Sequence, residues 1–322
     1  MSLIQIKVPA TTANLGSGFD TLGMALSLYN IFTINEILPE GEYKCKIFGE
    51  GAFSDELKDA KKNLLVRSYL QACEEFNISP KGFSFESCNA VPLNRGLGSS
   101  STAIVAGVAL ANVLSGNKFS ESELLRVMTK IEGHPDNVVP CYIGGMTVSC
   151  WDGESLRYVR LPALPKNLNV IAAVPDFQVH TEDARKILPE SVPFRDAVFN
   201  VSHASILCAA WAMGRWDLLR VGMEDRLHQS HRAKLFPGST GEKFLREINN
   251  HPDCVATAIS GSGPTMIAIV HGKAGELSKA MCRIFSDGGA ASHFFVLNCA
   301  SGTVISPCSG EKQFLLNLQD FS

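Results

Sequence analysis

The chain has 322 residues, 45% of them hydrophobic, and a formal charge of −3, which excludes a disordered polymer and disfavours non-specific nucleic-acid binding. Its longest near-apolar run, Ala103 to Leu114, is interrupted by Asn112 and falls short of the roughly 20 residues of a membrane span, so no membrane partner is expected. The start, MSLIQIKVPATT, lacks a basic-then-apolar leader, and the ten cysteines include no CxxC pair, so reduced thiols in a cytoplasmic protein are expected.

At roughly 150 residues per domain the length predicts two domains. Ile4-Gln5-Ile6-Lys7-Val8 alternates apolar and polar as a half-buried strand does. PATTANLGSGFD, residues 9–20, follows as a loop by its Pro, Gly, Thr and Asn content, and 22–35 reads as one or two strands. Lys61 to Phe76 has helical spacing, with Leu65, Tyr69, Ala72 and Phe76 on one side. The run from Ala103 has no polar face and is expected to be a buried helix ending at Gly116-Asn117. Ser120 and Glu123 form a capping box for the next helix, which turns Leu124, Val127, Met128 and Ile131 inward and stops at Gly133-His134-Pro135. PALPKN, residues 162–167, is the linker candidate. A strand follows at 170–174, then helices around 183–188 and 197–213, and two apolar segments flank SGSGPT at 260–265. Strands and helices mixed without regular βαβ alternation predict an α+β fold.

The segment PLNRGLGSSSTA, residues 92–103, carries the first chemical signal. Gly96 and Gly98 would let the backbone approach a ligand closely, since glycine has no Cβ. Ser99, Ser100 and Ser101 then open the buried helix, at the end where unpaired N–H groups and partial positive charge favour an anion. The competing reading is that a serine simply caps the helix. The loop is neither GxxxxGK[ST] nor GxGxxG, so the common nucleotide-binding folds are not indicated.

Glu132 is the second signal. It shares the inward arc of its helix with Leu125 and Met128 and sits at the C-terminal end, where the helix dipole opposes negative charge. A cation would offset its burial; Mg²⁺, which takes oxygen ligands, is one candidate, and a lysine such as Lys130 is the other. His228 and His231 have metal-pair spacing, but no third ligand accompanies them.

PATTANLGSGFD, PLNRGLGSSSTA and SGSGPT together, in this order, resemble the three motifs of the GHMP kinases. That resemblance implies a ribosomal protein S5 domain 2-like N-terminal domain, placed at 1–161, and a ferredoxin-like C-terminal domain at 162–322. ATTANLGSGFDTLG (10–23), EGHPDNVVP (132–140), HTEDARKILP (180–189) and DRLHQSHRAKLFPG (225–238) are similar to the homoserine kinase branch. The implied activity is ATP-dependent phosphorylation of homoserine in threonine synthesis, with ATP and Mg²⁺ as cofactors, no nucleic-acid partner, and a homodimer as an expected state. ATP would lie against Asn63 and the loop Pro92, Leu93, Asn94, Arg95, Gly96, Leu97, Gly98, Ser99, Ser100, Ser101 and Thr102. Ser100 and Glu132 would hold the metal. Homoserine would meet Asn14, Asp20, His134, Asn137, Thr181, Arg185, Arg232 and Gly261, with Asp20 on its amine and the two arginines on its carboxylate. Asn137, Glu132 and Arg185 are assigned to the reaction itself. An asparagine at 137 implies direct attack by the substrate hydroxyl, with Asp136 as the alternative base. A kinase of another small alcohol, such as threonine or shikimate, and a non-catalytic nucleotide-binding regulator stay open on these residues.

Overall fold

In the computed structural model, which describes residues 3–272 and 275–308, the first strand runs further than its alternating start predicts. Strand β1 spans Ile4–Ala13, so Pro9 to Ala13, expected as loop, are strand. A register shift after Pro9 explains it: Pro9 opposes Tyr29 and Ala10 opposes Leu26 of β2 (Leu22–Leu38). Such a bulge tolerates a residue without an N–H and lets pairing resume beyond it. The true loop is 14–21, where Asn14 and Asp20 hold left-handed backbone, a conformation that Asn and Asp adopt more readily than most residues.

β2 is one strand of 17 residues rather than two. Its early residues pair with β5 (Met146–Trp151) and its later ones with β4 (Gly82–Asn89). Strand β3 (Tyr43–Gly49) runs parallel to β4, and β6 (Leu156–Leu161) closes on β5. With β11 (Val304–Pro307) on the outer edge of β1 the sheet has seven strands.

Short helix α1 (Asp55–Lys58) precedes α2 (Leu64–Glu75), capped by Asn63, whose side chain accepts from the Leu65 N–H at 3.0 Å. Leu65, Tyr69 and Ala72 are buried as their spacing requires. Helix α3 (Ser99–Leu114) is buried on nearly every side; Ile104, Val105, Val108 and Leu110 each contribute about 1.5–3 kcal/mol by leaving water. Helix α4 (Glu121–Glu132) starts at the Ser120–Glu123 capping box and ends at Gly133, in left-handed backbone. Helix α5 (Pro135–Ile143) begins on a proline, where a missing N–H costs nothing. These helices and one face of the sheet share a core.

The chain leaves the first sheet after β6 and enters a second, antiparallel sheet at β7 (Leu168–Pro175). The PALPKN connection is pinned by Trp211, whose indole N–H donates to the Pro162 carbonyl at 2.8 Å. The second sheet adds β8 (Cys254–Ile259), β9 (Met266–His271) and β10 (Ser292–Leu297), in the order β10-β7-β9-β8. Between β7 and β8 lie α6 (Thr181–Lys186), α7 (Phe194–Met213), α8 (Leu219–Gly222), α9 (Gln229–Arg232) and α10 (Thr240–Asn249), and α11 (Gly275–Asp287) follows β9. Helices α10 and α11 cover one face of this sheet. The other face meets the first sheet through Leu22, Met24, Leu26 and Met146 against Val170, Ala172 and Ile267. The sheets change over at the linker, yet β11 carries the last described strand back to the first sheet; residues 309–322 of the expected second domain lie outside the described residues. All ten cysteines are free thiols. Among the described residues no helix is long and apolar enough to cross a membrane.

Candidate active site

One cavity of about 400 Å³ gathers the N-terminus of α3, the C-terminus of α4, the start of α5, α6, α9 and the turn between β8 and β9. At one end, no serine caps α3. The N-cap is Gly98, which has no side chain to offer, so Ser99, Ser100 and Ser101 are the first turn itself. Its N–H groups are left to the cavity that these serines line, with the positive end of the dipole behind them. Asn30 holds the loop from behind: its amide donates to the Thr102 hydroxyl and accepts from Ala90 and Val91 N–H, all at 2.9 Å.

The loop glycines are required by close packing against protein as well as by their place on the cavity wall. A Cβ on Gly96 would lie 2.2 Å from the Ser260 carbonyl, and one on Gly98 2.1 Å from the Thr11 hydroxyl. Both have positive φ, which glycine adopts without strain. Two other loop residues move off the cavity wall. Pro92 and Leu97 are buried: Leu97 belongs to the core between the sheets and its carbonyl accepts from the Thr11 N–H at 3.0 Å. The remaining loop residues, Leu93 to Gly96 and Gly98 to Thr102, line the cavity with Asn63. Arg95 donates through Nη2 to the Asp176 carbonyl, while its Nη1 is buried without a partner among the described residues.

At the other end, Arg185 donates to both carboxylate oxygens of Asp20, at 2.9 and 2.7 Å, across the two halves of the chain. Thr181 lies one turn earlier on α6, exposed at the rim. Arg232 is buried and donates to the Gly261 carbonyl at 2.7 Å. Burial, then the neighbouring Arg185, push its pKa down to about 10. Asn14 is a staple: it accepts from the Asp20 N–H and donates to the Gly261 carbonyl, both at 3.0 Å. Asn14 and Gly261 line the cavity while holding Asp20 and Arg232 in place.

Glu132 faces inward as its arc predicts. Its Oε1 accepts from the hydroxyl of Ser101, not Ser100, at 2.8 Å, and Ser100 is exposed beside it. Lys130, the alternative cation, turns away to Glu75. Desolvation raises the Glu132 pKa above the usual carboxylate range, against the pull of His134 and Ser101. His134 bonds through Nδ1 to the fully buried Asp136. Burial works against its charge, but Asp136 and Glu132 outweigh burial and lift its pKa to about 9. Asn137 accepts from the Thr11 hydroxyl at 2.7 Å and lies next to Asp136.

Sequence reasoning missed the wall opposite the loop, where Phe32, Ile47, Leu57 and Leu64 supply apolar surface and Lys62 and Arg67 supply charge. These come from two strands, a short helix and a helix start, so no motif unites them; only Lys62 and Leu64, on either side of Asn63, stood within reach.

Comparison with known proteins follows the same lines. Residues 63–145 match the model of the GHMP kinases N terminal domain. The chain is similar to homoserine kinase of Carboxydothermus hydrogenoformans, 41% identical over 84% of this chain and 87% of the relative. It is similar to homoserine kinase of Halothermothrix orenii, 39% identical over 88% and 89%. Among solved structures, homoserine kinase from Cytophaga hutchinsonii superposes with a TM-score of 0.80, 29% identity, and 95% and 97% of the two chains covered. Galactokinase of Lactococcus lactis superposes with a TM-score of 0.71 at 13% identity over 94% and 95%, which shows the shared fold alone.

Proposed function

The chain belongs to the homoserine kinase family, a branch of the GHMP kinases, and from that premise we propose how its cavity performs the reaction. The enzyme transfers the γ-phosphoryl group of ATP to the side-chain hydroxyl of L-homoserine, giving O-phospho-L-homoserine. One observation carries the assignment of residues: a single cavity joins the uncapped start of α3 to a set of charges that mirrors a zwitterion.

The phosphates of ATP lie at the first turn of α3, on the N–H groups of Ser99 to Ser101. The Nη1 of Arg95, without a partner among the described residues, supplies a further donor there. The base rests on the apolar wall of Phe32, Ile47, Leu57 and Leu64, beside Asn63. Homoserine lies at the opposite end, its ammonium on Asp20 and its carboxylate on Arg232 and Arg185, whose planar forks suit it. The Asp20–Arg185 pair opens to admit a molecule that brings both opposite charges at once. Thr181 and His134 bound the same space.

The donors around Glu132 fit Mg²⁺: a desolvated carboxylate and the hydroxyls of Ser100 and Ser101, all hard oxygens. Glu132 and Ser100 would hold the ion, which neutralises phosphate charge when bound. Asn137 orients the substrate hydroxyl for in-line attack; its amide cannot take a proton and the Asp136 carboxylate is already engaged by His134, so as the new O–P bond forms and ADP leaves, the hydroxyl proton passes to an oxygen of the transferred phosphoryl group. Rate enhancement then comes from positioning and charge neutralisation.

Coupled ADP release with MgATP against L-homoserine, L-threonine, L-serine, mevalonate, galactose and shikimate tests this. Strong turnover on L-homoserine alone is expected. Turnover on another acceptor overturns the acceptor end, and silence on all of them overturns catalysis.

A further inference from the structure

His228 lies in the DRLHQSHRAKLFPG segment but carries no part of the mechanism above. Its side chain is completely buried. Asp225 fixes the backbone on either side: its carboxylate accepts from the N–H groups of Leu227, His228 and Gln229 at 2.7–3.1 Å and from the Asn200 amide at 2.8 Å. The imidazole Nε2 lies 2.8 Å from the Gly16 carbonyl. A carbonyl oxygen only accepts, so Nε2 carries the proton. Burial, reinforced by Arg232 and opposed by Asp225, lowers the pKa and keeps the ring neutral. The Nδ1 lone pair therefore faces Arg232, whose Nη1 is 3.4 Å away.

The other partners of Arg232 share one property. They are the Gly261 carbonyl at 2.7 Å, the Ala184 carbonyl at 3.4 Å and the face of Phe19, 5.1 Å below the guanidinium. Each is neutral, and no carboxylate lies within ion-pair distance of Arg232 among the described residues. Arg185, by contrast, is already paired with Asp20. Asp20, Asp136 and Asp225 act on Arg232 only at longer range, so its guanidinium is left without a direct ion pair for an anionic ligand to displace, whereas a carboxylate in place of His228 would supply one. Phe19 also packs against the His228 ring, with centroids 5.1 Å apart and planes tilted by 30°, so one aromatic side chain touches both ring and guanidinium.

We propose that His228 is a positioning residue, which as the Nε2–H tautomer aims the Arg232 guanidinium, which has no direct ion pair among the described residues, at the acceptor's carboxylate and, through Gly16, ties it to the loop bearing Asp20. This rests on the reading of Arg232 given above. The two ring nitrogens have separable duties. Glutamine at 228 can keep a donor for Gly16 but presents no acceptor at the Nδ1 position. Asparagine can offer its oxygen to Arg232 but does not reach Gly16.

The test is steady-state kinetics of the full chain with MgATP and L-homoserine. His228→Gln is expected to raise KM for homoserine about two- to tenfold, the worth of one hydrogen bond, with KM for ATP changed less than about twofold. His228→Asn is expected to stay closer to the native KM for homoserine than His228→Gln does. In an Arg232→Ala background, His228→Gln should add nothing to KM for homoserine, because the partner it acts through is gone. Equal rises for both substrates, equal effects of Gln and Asn, an unchanged KM in His228→Gln, or additivity with Arg232→Ala would each overturn the proposal. On the native protein, ¹⁵N NMR at neutral pH should find His228 neutral with the proton on Nε2, and a charged ring or an Nδ1–H would refute it without any variant. Native enzyme that does not turn over homoserine would instead fail the acceptor assignment.

Discussion

Replacing Asp20 by asparagine separates the ammonium contact from everything else at the acceptor end. The loop should survive the change. Asp20 has a φ of +54°, which asparagine also tolerates, and the staple from Asn14 goes to the residue 20 N–H, not to the carboxylate. What is lost is a charge. The Asp20–Arg185 pair is bidentate, but its side chains are 34% and 38% exposed, so it is worth at most about 1 kcal/mol. The contact with a bound ammonium is a charged hydrogen bond worth about 1.5–3 kcal/mol. At about 1.4 kcal/mol per tenfold, that contact is worth about 10- to 150-fold in kcat/KM, and because the freed Arg185 returns up to about fivefold, the net fall for L-homoserine should be about 2- to 150-fold. For 4-hydroxybutanoate, which keeps the hydroxyl and carboxylate but lacks the amine, nothing is lost. Release of Arg185 should raise its kcat/KM by up to about fivefold. The assay is ADP release against both acceptors, with native enzyme and Asp20→Asn side by side. An equal fall for both acceptors would show that Asp20 supports the loop rather than reading the amine, and the argument would be wrong.

Glu132→Gln should lower kcat by about 100-fold or more and flatten its dependence on Mg²⁺ concentration while leaving the melting temperature unchanged; a native kcat would place the metal elsewhere. Asp136→Asn should leave kcat within about tenfold, and a loss of 10³-fold would make Asp136 the base. Gly96→Ala must push a Cβ into the Ser260 carbonyl in left-handed backbone, so urea unfolding should find it about 3 kcal/mol less stable; a loss under about 1 kcal/mol would mean the loop and hairpin are not in register. Metal-free protein should lose stability above pH 6.5, where His134 and Glu132, whose pKa burial raises, both withdraw it, while below 6.5 Glu132 opposes the loss from His228. His134, with its pKa raised to about 9, loses its stabilising charge as pH rises from 6.5 through 9. His228, whose pKa is lowered from 6.5, opposes folding as pH falls below 6.5, because there the unfolded state binds the extra proton. Thermal melts from pH 5.5 to 9.5 check this, and a profile flat above pH 6.5 would deny the shifts of His134 and Glu132.

What could be read ahead of the structure, and what could not, divides by how far the relevant forces act along the chain. Helix starts and stops are local: the Ser120–Glu123 box and the Gly133 stop each depend on neighbours within four residues, and each lies where its residues predict. The arc of Glu132 was equally legible, since a helix fixes which residues share a face. Pro9 to Ala13 misled because a bulge is settled by the partner strand, and the residue types alone read as loop. The glycines carry a second reason that their neighbours in sequence do not show. Gly96 and Gly98 have the composition of a phosphate loop, but the space a Cβ would fill belongs to Ser260, Gly263 and Thr11, from segments 160 or more residues further on or some 85 residues before. Those contacts bring the β8–β9 turn and the first strand against the loop, and the same packing places Gly261 where Asn14 and Arg232 both donate to it. The phosphate end and the acceptor end are thus built by one set of backbone contacts. A side chain at position 96 should therefore disturb homoserine binding as well as ATP binding, although neither substrate need touch it.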